Sequence, residues 1–260
     1  MNLIARPAST RGHLAFRVKR PADRRNLSRS ATRALDVLEF FGLARRPLRA
    51  VEIARELDMS PSSANQLLKT MVGSAHLLFD ARDKTYRPSP RLAAFGLWMN
   101  ALHGGGADLQ ALVGDVCAAT GMAVTVTVPN DLSMQVVASA APDPAAVGRG
   151  WQVPLFGTAT GSAYLAGLDM AEVRRLAVRA RMPEHEIPAI IDVLARIRRA
   201  HQAEGPSEDG TNWSIAMRLP LALGGVTAVL GLGGPAEAVK PDVTRLAGAM
   251  RGAIARHFPA

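Results

Sequence analysis

Five polar side chains fall on one side of a short segment: Ser62, Ser63, Gln66, Lys69 and Thr70. At about 100° per residue, Ser62, Gln66, Lys69 and Gly73 share a helical face, with Ser63 and Thr70 on its flanks. That face offers hydrogen-bond donors and one cation, and it carries no acid. Such a set suits nucleic-acid recognition. A glutamine amide can pair with adenine, a hydroxyl with several donors or acceptors, and a lysine with guanine or phosphate. Arg33 upstream, and Arg82, Lys84 and Arg87 downstream, add cations suited to phosphate contact.

These side chains need elements to hold them. Ser60-Pro61 predicts a helix start, with Ser as N-cap and Pro at the first position. Ala64, Leu67, Leu68, Met71 and Val72 then supply the buried stripe of a helix to about Val72. Two helices are expected before it. The first is capped by Ser30 and runs to about Phe41, with Ala34, Leu35, Leu38 and Phe41 inward and Gly42 at its end. The second covers about Ala50–Leu57, after a turn at Arg45-Arg46-Pro47. Leu77-Leu78-Phe79 and Thr85-Tyr86-Arg87 flank the charged tip Asp80–Lys84, which reads as a hairpin. Three helices and a hairpin make a winged helix-turn-helix over residues 30–90. Its third helix would enter the major groove of double-stranded DNA. Arg91–Leu102 reads as a linker helix with Leu92, Phe95, Gly96 and Met99 at helical spacing. His103-Gly104-Gly105-Gly106 ends this 91–105 segment and marks a domain boundary.

The charge is asymmetric. The 260-residue chain carries a net +9, yet residues 1–99 hold eighteen basic and eight acidic residues, while 100–260 hold thirteen and fourteen. Residues 1–29 alone hold eight Arg or Lys against Asp23. With poor apolar periodicity, they are expected to be a disordered arm, either touching phosphates or standing as a solvated tail. One cysteine, Cys117, excludes an internal disulfide, a zinc ribbon and a cysteine-ligated cluster. No run of about 18 apolar residues points to a membrane span.

Residues 106–260 alternate helices and strands. Helices are expected at Leu109–Thr120 (stopped by Gly121), Gly157–Leu168, Asp169–Arg179, Pro188–Ala203 and Lys240–His257. Strands are expected at Met122–Val128, Met134–Ala140, Trp151–Leu155, Trp213–Leu221 and Val226–Gly233. Pro129-Asn130-Asp131 reads as a turn and Glu204–Asn212 as a polar loop. The class is α+β, with helices on one side of antiparallel strands, as in sensor domains.

The order of elements resembles the IclR family of bacterial transcription regulators over about residues 28–258. Ser30–Leu35 is similar to the family's opening helix. Ser62-Ser63 and Leu67–Met71 resemble its recognition helix, and Tyr86–Leu92 the segment that closes its wing. Pro154–Ala163 is similar to its effector-domain signature, and Val229–Ala236 to its last strand. The resemblance implies a GAF-like effector domain over 106–260, cytoplasmic homodimers or dimers of dimers, no cofactor, and control of catabolic or related genes by a small organic acid. It places the effector pocket at Val153, Ala159, Thr160, Ser214, Ala216, Gly231 and Gly233. Three departures stand out. Gln66 replaces the family's usual Arg. Phe156 and Ser162 replace its common His and Lys. Ala216, Gly231 and Gly233 replace a cysteine and two serines, which removes hydroxyl donors and frees volume. Two readings stay open: a larger, more apolar ligand such as an aromatic acid, held by backbone N–H groups and Thr160, or a domain that only oligomerises.

Other constellations are weaker. Gly231–Ala236 has dinucleotide-loop spacing, but Pro235 lacks the needed N–H and no second βαβ half exists. His103–Gly106 looks like an oxyanion loop without a nucleophile elbow. Cys117 sits on the apolar side of its helix. His185 between Glu184 and Glu186 fits a solvated loop better than a metal site. Trp151 and Trp213 suit either a pocket or a core. An enzyme on the second half would need paired ionisable groups in 153–163, and there are none, so no enzyme is expected. A DNA-binding architectural protein with a dead sensor is the remaining rival.

Overall fold

The structure, a computed structural model, describes residues 28–102, 109–143, 146–148, 150–207, 210–223 and 225–259. The expected arm up to residue 27 and the His103–Gly106 break lie outside the described residues. The chain divides into two compact units with the boundary between Gly105 and Gly106.

In the first unit α1 spans Arg29–Ala44, α2 Ala50–Glu56 and α3 Pro61–Gly73. The start of α1 corrects the sequence reading. Ser28, not Ser30, is the N-cap, so Arg29 already belongs to the helix. Val37 and Phe41 are its buried positions, and Leu35, expected inward, is 62% exposed. Gly42 does not end the helix. Arg45 does, in the left-handed conformation at φ 50°. A two-residue strand β1 (Leu48–Arg49) precedes α2 and was not expected, because two residues show no periodicity. It pairs with β3 (Thr85–Pro88), which pairs with β2 (Leu77–Asp80), in the order β1-β3-β2. The helices and this sheet enclose Val37, Phe41, Leu48, Ile53, Leu68, Met71, Leu77 and Tyr86. The linker helix α4 covers Arg91–Leu102.

The second unit is a six-stranded antiparallel sheet in the order β6-β5-β4-β9-β8-β7. Its strands are β4 (Ala123–Asn130), β5 (Ser133–Ala140), β6 (Gln152–Pro154), β7 (Ala203–Pro206), β8 (Asn212–Leu223) and β9 (Val226–Pro235). Helices cover both faces, not one. On one face α5 (Leu109–Thr120) and α10 (Val243–His257) bury Leu112, Val116, Leu246 and Met250 against Val124, Val126, Ile215 and Leu230. On the other, α6 (Ala159–Leu165), α7 (Met170–Arg179) and α8 (Ile187–Ala200) cover Met134, Ala216 and Val229. Strand alternation sends neighbours such as Ile215 and Ala216 to opposite cores. Because the central strands are apolar on both sides, a single-faced arrangement would leave one row in water.

Three boundaries differ from expectation for local reasons. Pro129 and Asn130 are strand residues, paired with Met134 and Ser133. Pairing of β4 with β9 stops at Thr127, so Pro129 sits where a missing N–H costs no ladder bond. Helix α8 stops at Ala200 because His201 is left-handed at φ 53°, which frees Ala203 to start β7. The last helix begins at Val243, after a short helix α9 (Ala236–Val239) and a 3₁₀ turn Lys240–Asp242 carrying Pro241.

Candidate nucleic-acid interface and effector face

The N-terminus of α3 is built as its sequence predicts. The Ser60 hydroxyl accepts the Ser63 N–H at 3.2 Å and donates to the Ser63 hydroxyl at 2.8 Å. The Ser60 and Ser62 hydroxyls are 3.1 Å apart. Ala64, Leu68 and Met71 anchor the inner face, so Ser62, Ser63, Gln66, Lys69 and Thr70 are all exposed. Their hydrogen-bonding freedom is unequal. Thr70 donates its hydroxyl to the Gln66 carbonyl at 2.9 Å, within its own helix. The amide of Gln66 and the ammonium of Lys69 make no such contact among the described residues. Asn65 is also exposed, on the other flank, with an amide able to pair with a base edge. Sequence reasoning missed it, although it lies as near the face's centre as Thr70 does, on the opposite flank.

The hairpin joins Leu77–Asp80 to Thr85–Pro88 in register, Asp80 facing Thr85. The Asp80 carboxylate accepts the Arg82 N–H at 2.9 Å, and Lys84 turns the chain at φ 53°. Arg82, Lys84 and Arg87 are exposed. Arg33 lies on α1, 3.8 Å from Asp36, and is half-exposed. Beside α3, the start of α2 is held by Glu52. Its carboxylate accepts from the Arg46 guanidinium at 2.7 Å and from the Arg49 N–H at 2.8 Å. These bonds, the Arg46 one foremost, hold the Glu52 carboxyl below the ordinary carboxylate range.

In the second unit, Ser214 pairs with Gly233 and Ala216 with Gly231 on adjacent strands. Helix α6 lies across them, capped by the Thr158 hydroxyl on the Gly161 N–H at 3.1 Å. Ala159 is buried there and Val153 packs on the same core. Val153 itself is on β6, with two strands between it and β9. A Cβ at Gly231 would lie 2.8 Å from the Thr160 methyl and 3.0 Å from the Thr125 hydroxyl. The small residues therefore admit α6 close to the sheet, and the volume they were expected to free is taken up by Thr160. Thr125 was not singled out in the sequence, although the Val124/Val126 alternation places it on this face. On α6, burial raises the Tyr164 phenol pKa above its ordinary value, with Glu172 adding to the effect and Arg218 opposing it.

Cys117 is half-buried against the core of α5 and α10. Trp213 is buried, with the Lys240 ammonium 4.6 Å from its ring centroid. His185 lies in a 3₁₀ turn between its two glutamates. No helix among the described residues is long and apolar enough to cross a membrane.

Residues 30–74 match the IclR helix-turn-helix domain family. No curated protein matches the sequence. The chain is similar in structure to an IclR transcriptional regulator from Alicyclobacillus acidocaldarius, at 22% identity and a TM-score of 0.53, covering 89% of this chain and 98% of that one. Thermotoga maritima IclR is similar at 17% identity and 0.51, covering 89% and 99%. The Agrobacterium tumefaciens repressor BlcR is similar at 22% identity and 0.50, covering 88% and 95%.

Proposed function

We infer that this chain, a DNA-binding transcriptional regulator of the IclR type and not an enzyme, is a cytoplasmic regulator of a catabolic or related operon that senses a small organic acid. The observation that carries the DNA half of the reading is the exposed, acid-free face of α3, held outward by Ala64, Leu68 and Met71. Gln66 and Lys69 read base edges or phosphate in the major groove, with Ser62, Ser63 and Thr70 beside them. Arg82, Lys84 and Arg87 follow the backbone from the wing, and Arg33 does so from α1. The exposed apolar side chains of α4 and α1 support assembly into dimers or dimers of dimers: Phe95 at 46%, Leu97 at 72%, Trp98 at 63% and Leu43 at 75% exposed. The effector acts at Val153, Ala159, Thr160, Ser214, Ala216, Gly231 and Gly233. Binding there displaces α6, and α4 carries the change to the spacing of the paired wings.

The test is fluorescence anisotropy with DNA from upstream of the protein's own gene, with and without aliphatic and aromatic acids. One acid should weaken or strengthen binding, and Thr160→Trp should abolish that response while leaving DNA affinity unchanged. A response preserved in Thr160→Trp contradicts the placement of the effector site. The close packing of Thr160 on Gly231 favours a second reading, in which this domain only oligomerises. That reading predicts DNA binding indifferent to every acid.

A further inference from the structure

Most hydroxyl protons of α3 are committed within the helix. Ser60 gives its one hydroxyl proton to the Ser63 oxygen at 2.8 Å. In the 3.1 Å pair of Ser60 with Ser62, Ser62 is therefore the donor. Ser62 meets its surroundings as an acceptor only. Thr70 gives its proton to the Gln66 carbonyl at 2.9 Å. Ser63 keeps a proton, but a lone hydroxyl pairs with many base edges and discriminates poorly.

Two exposed side chains of α3 offer a donor and an acceptor in one plane, the amides of Asn65 and Gln66. Neither side-chain amide is hydrogen-bonded to another described residue. A planar donor and acceptor side by side match adenine, which shows the N6 donor beside the N7 acceptor in the major groove. The helix carries no arginine and a single lysine for guanine. Ala64, Leu68 and Met71 are buried and fix the helix's phase. Successive residues leave the axis about 100° apart, so Asn65 and Gln66 diverge on either side of Lys69. Two amides that diverge in this way cannot meet the same base edge. Both lie in the N-terminal half of α3, the half of a recognition helix that contacts base edges.

We propose that Asn65 is a second base-reading residue, its amide pairing with an adenine at a base pair distinct from the one Gln66 reads. This deepens the reading of α3 as the DNA-contacting face and rests on it.

Selection of preferred sequences from a randomised pool of DNA duplexes, with the full chain and its variants, tests it. The unaltered chain should select a sequence with at least two fixed A·T pairs. Asn65→Ala should relax the preference at one of them, with about tenfold loss of discrimination there, and leave the other positions as they were. Gln66→Ala should relax a different pair. Asn65→Asp keeps the shape of the side chain but only accepts hydrogen bonds. It should move the preference at its pair from adenine to cytosine, whose N4 donates. A merely structural role for Asn65 would give no such exchange. Circular dichroism of each variant confirms folding. The proposal is overturned if both Asn65 variants select the unaltered sequence with the same strength. It is also overturned if Asn65→Ala weakens all sequences equally, which marks a phosphate contact, or if it relaxes the same pair as Gln66→Ala. In each of these cases a pair relaxed by Gln66→Ala keeps the reading of α3 and removes only the Asn65 assignment. Selection of no preferred sequence by the unaltered chain overturns both.

Discussion

In the proposed reading, Lys69 and Gln66 do different work at the DNA. A lysine on phosphate releases counterions, whereas a glutamine amide on adenine discriminates between bases. Lys69→Ala should weaken binding to all sequences and lower the magnitude of the salt slope by about 1. Gln66→Ala should cost about 1–3 kcal/mol on the preferred sequence and relax specificity at one base pair. Competition binding at several salt concentrations separates the two, and identical effects from both variants would contradict the division of roles. The exposure of these two residues on one helical face was readable from spacing alone, because Ala64, Leu68 and Met71 fix the helix's phase. The spending of Thr70 on the Gln66 carbonyl was not readable, since an exposed threonine can donate either to its own helix or outward.

At the scale of elements, the glycines separate two kinds of environment. A Cβ at Gly42, within α1, would meet nothing within 4 Å. Gly42→Ala should therefore stabilise the protein by about 0.5–1 kcal/mol through helix propensity and a less free unfolded chain. A Cβ at Gly161, in the first turn of α6, would fall on the Leu155 carbonyl. Gly161→Ala should destabilise by about 1–3 kcal/mol, because backbone must move. Urea denaturation of both variants checks the signs, and a stabilising Gly161→Ala would refute the close packing of α6. The contact between Gly161 and Leu155 could not be read from the sequence, where Gly161 is one of several small residues. Helix α2 offers a pH-dependent case. The Glu52 pKa is lowered in the folded state, so its contribution is full above the ordinary carboxylate pKa and is lost as pH falls through the folded value. Glu52→Gln should thus shrink the drop in melting temperature between neutral and acid pH. An unchanged drop would show that Arg46 and Arg49 do not hold this carboxylate in solution.

At the scale of the whole molecule, the division into a basic first part and a near-neutral second part was legible from charge alone. Strand and helix order in the second unit was also legible, since β4 and β5 are rich in Val and Thr or Met and β8 and β9 carry apolar stretches. Two features were hidden. Helices lie on both faces of the sheet, and Ala203–Pro206 is an edge strand with no strong β-formers. Burial on both faces turns an alternating pattern into a continuous apolar run, which looks the same whichever side the helices take. The N-terminal cations can be tested for phosphate contact in the same way. Removing residues 1–28 should lower the magnitude of the DNA salt slope, measured by anisotropy, and an identical slope would make this stretch a bystander. The central claim is that the α3 face reads DNA, and the most direct measurement is an anisotropy titration of the full chain against DNA from upstream of its own gene and against a scrambled duplex, repeated with the Gln66→Ala, Lys69→Ala double variant. The expected result is tight, sequence-selective binding that the double variant loses while keeping its fold. Binding that ignores sequence, or selective binding that survives the double variant unchanged, would contradict it.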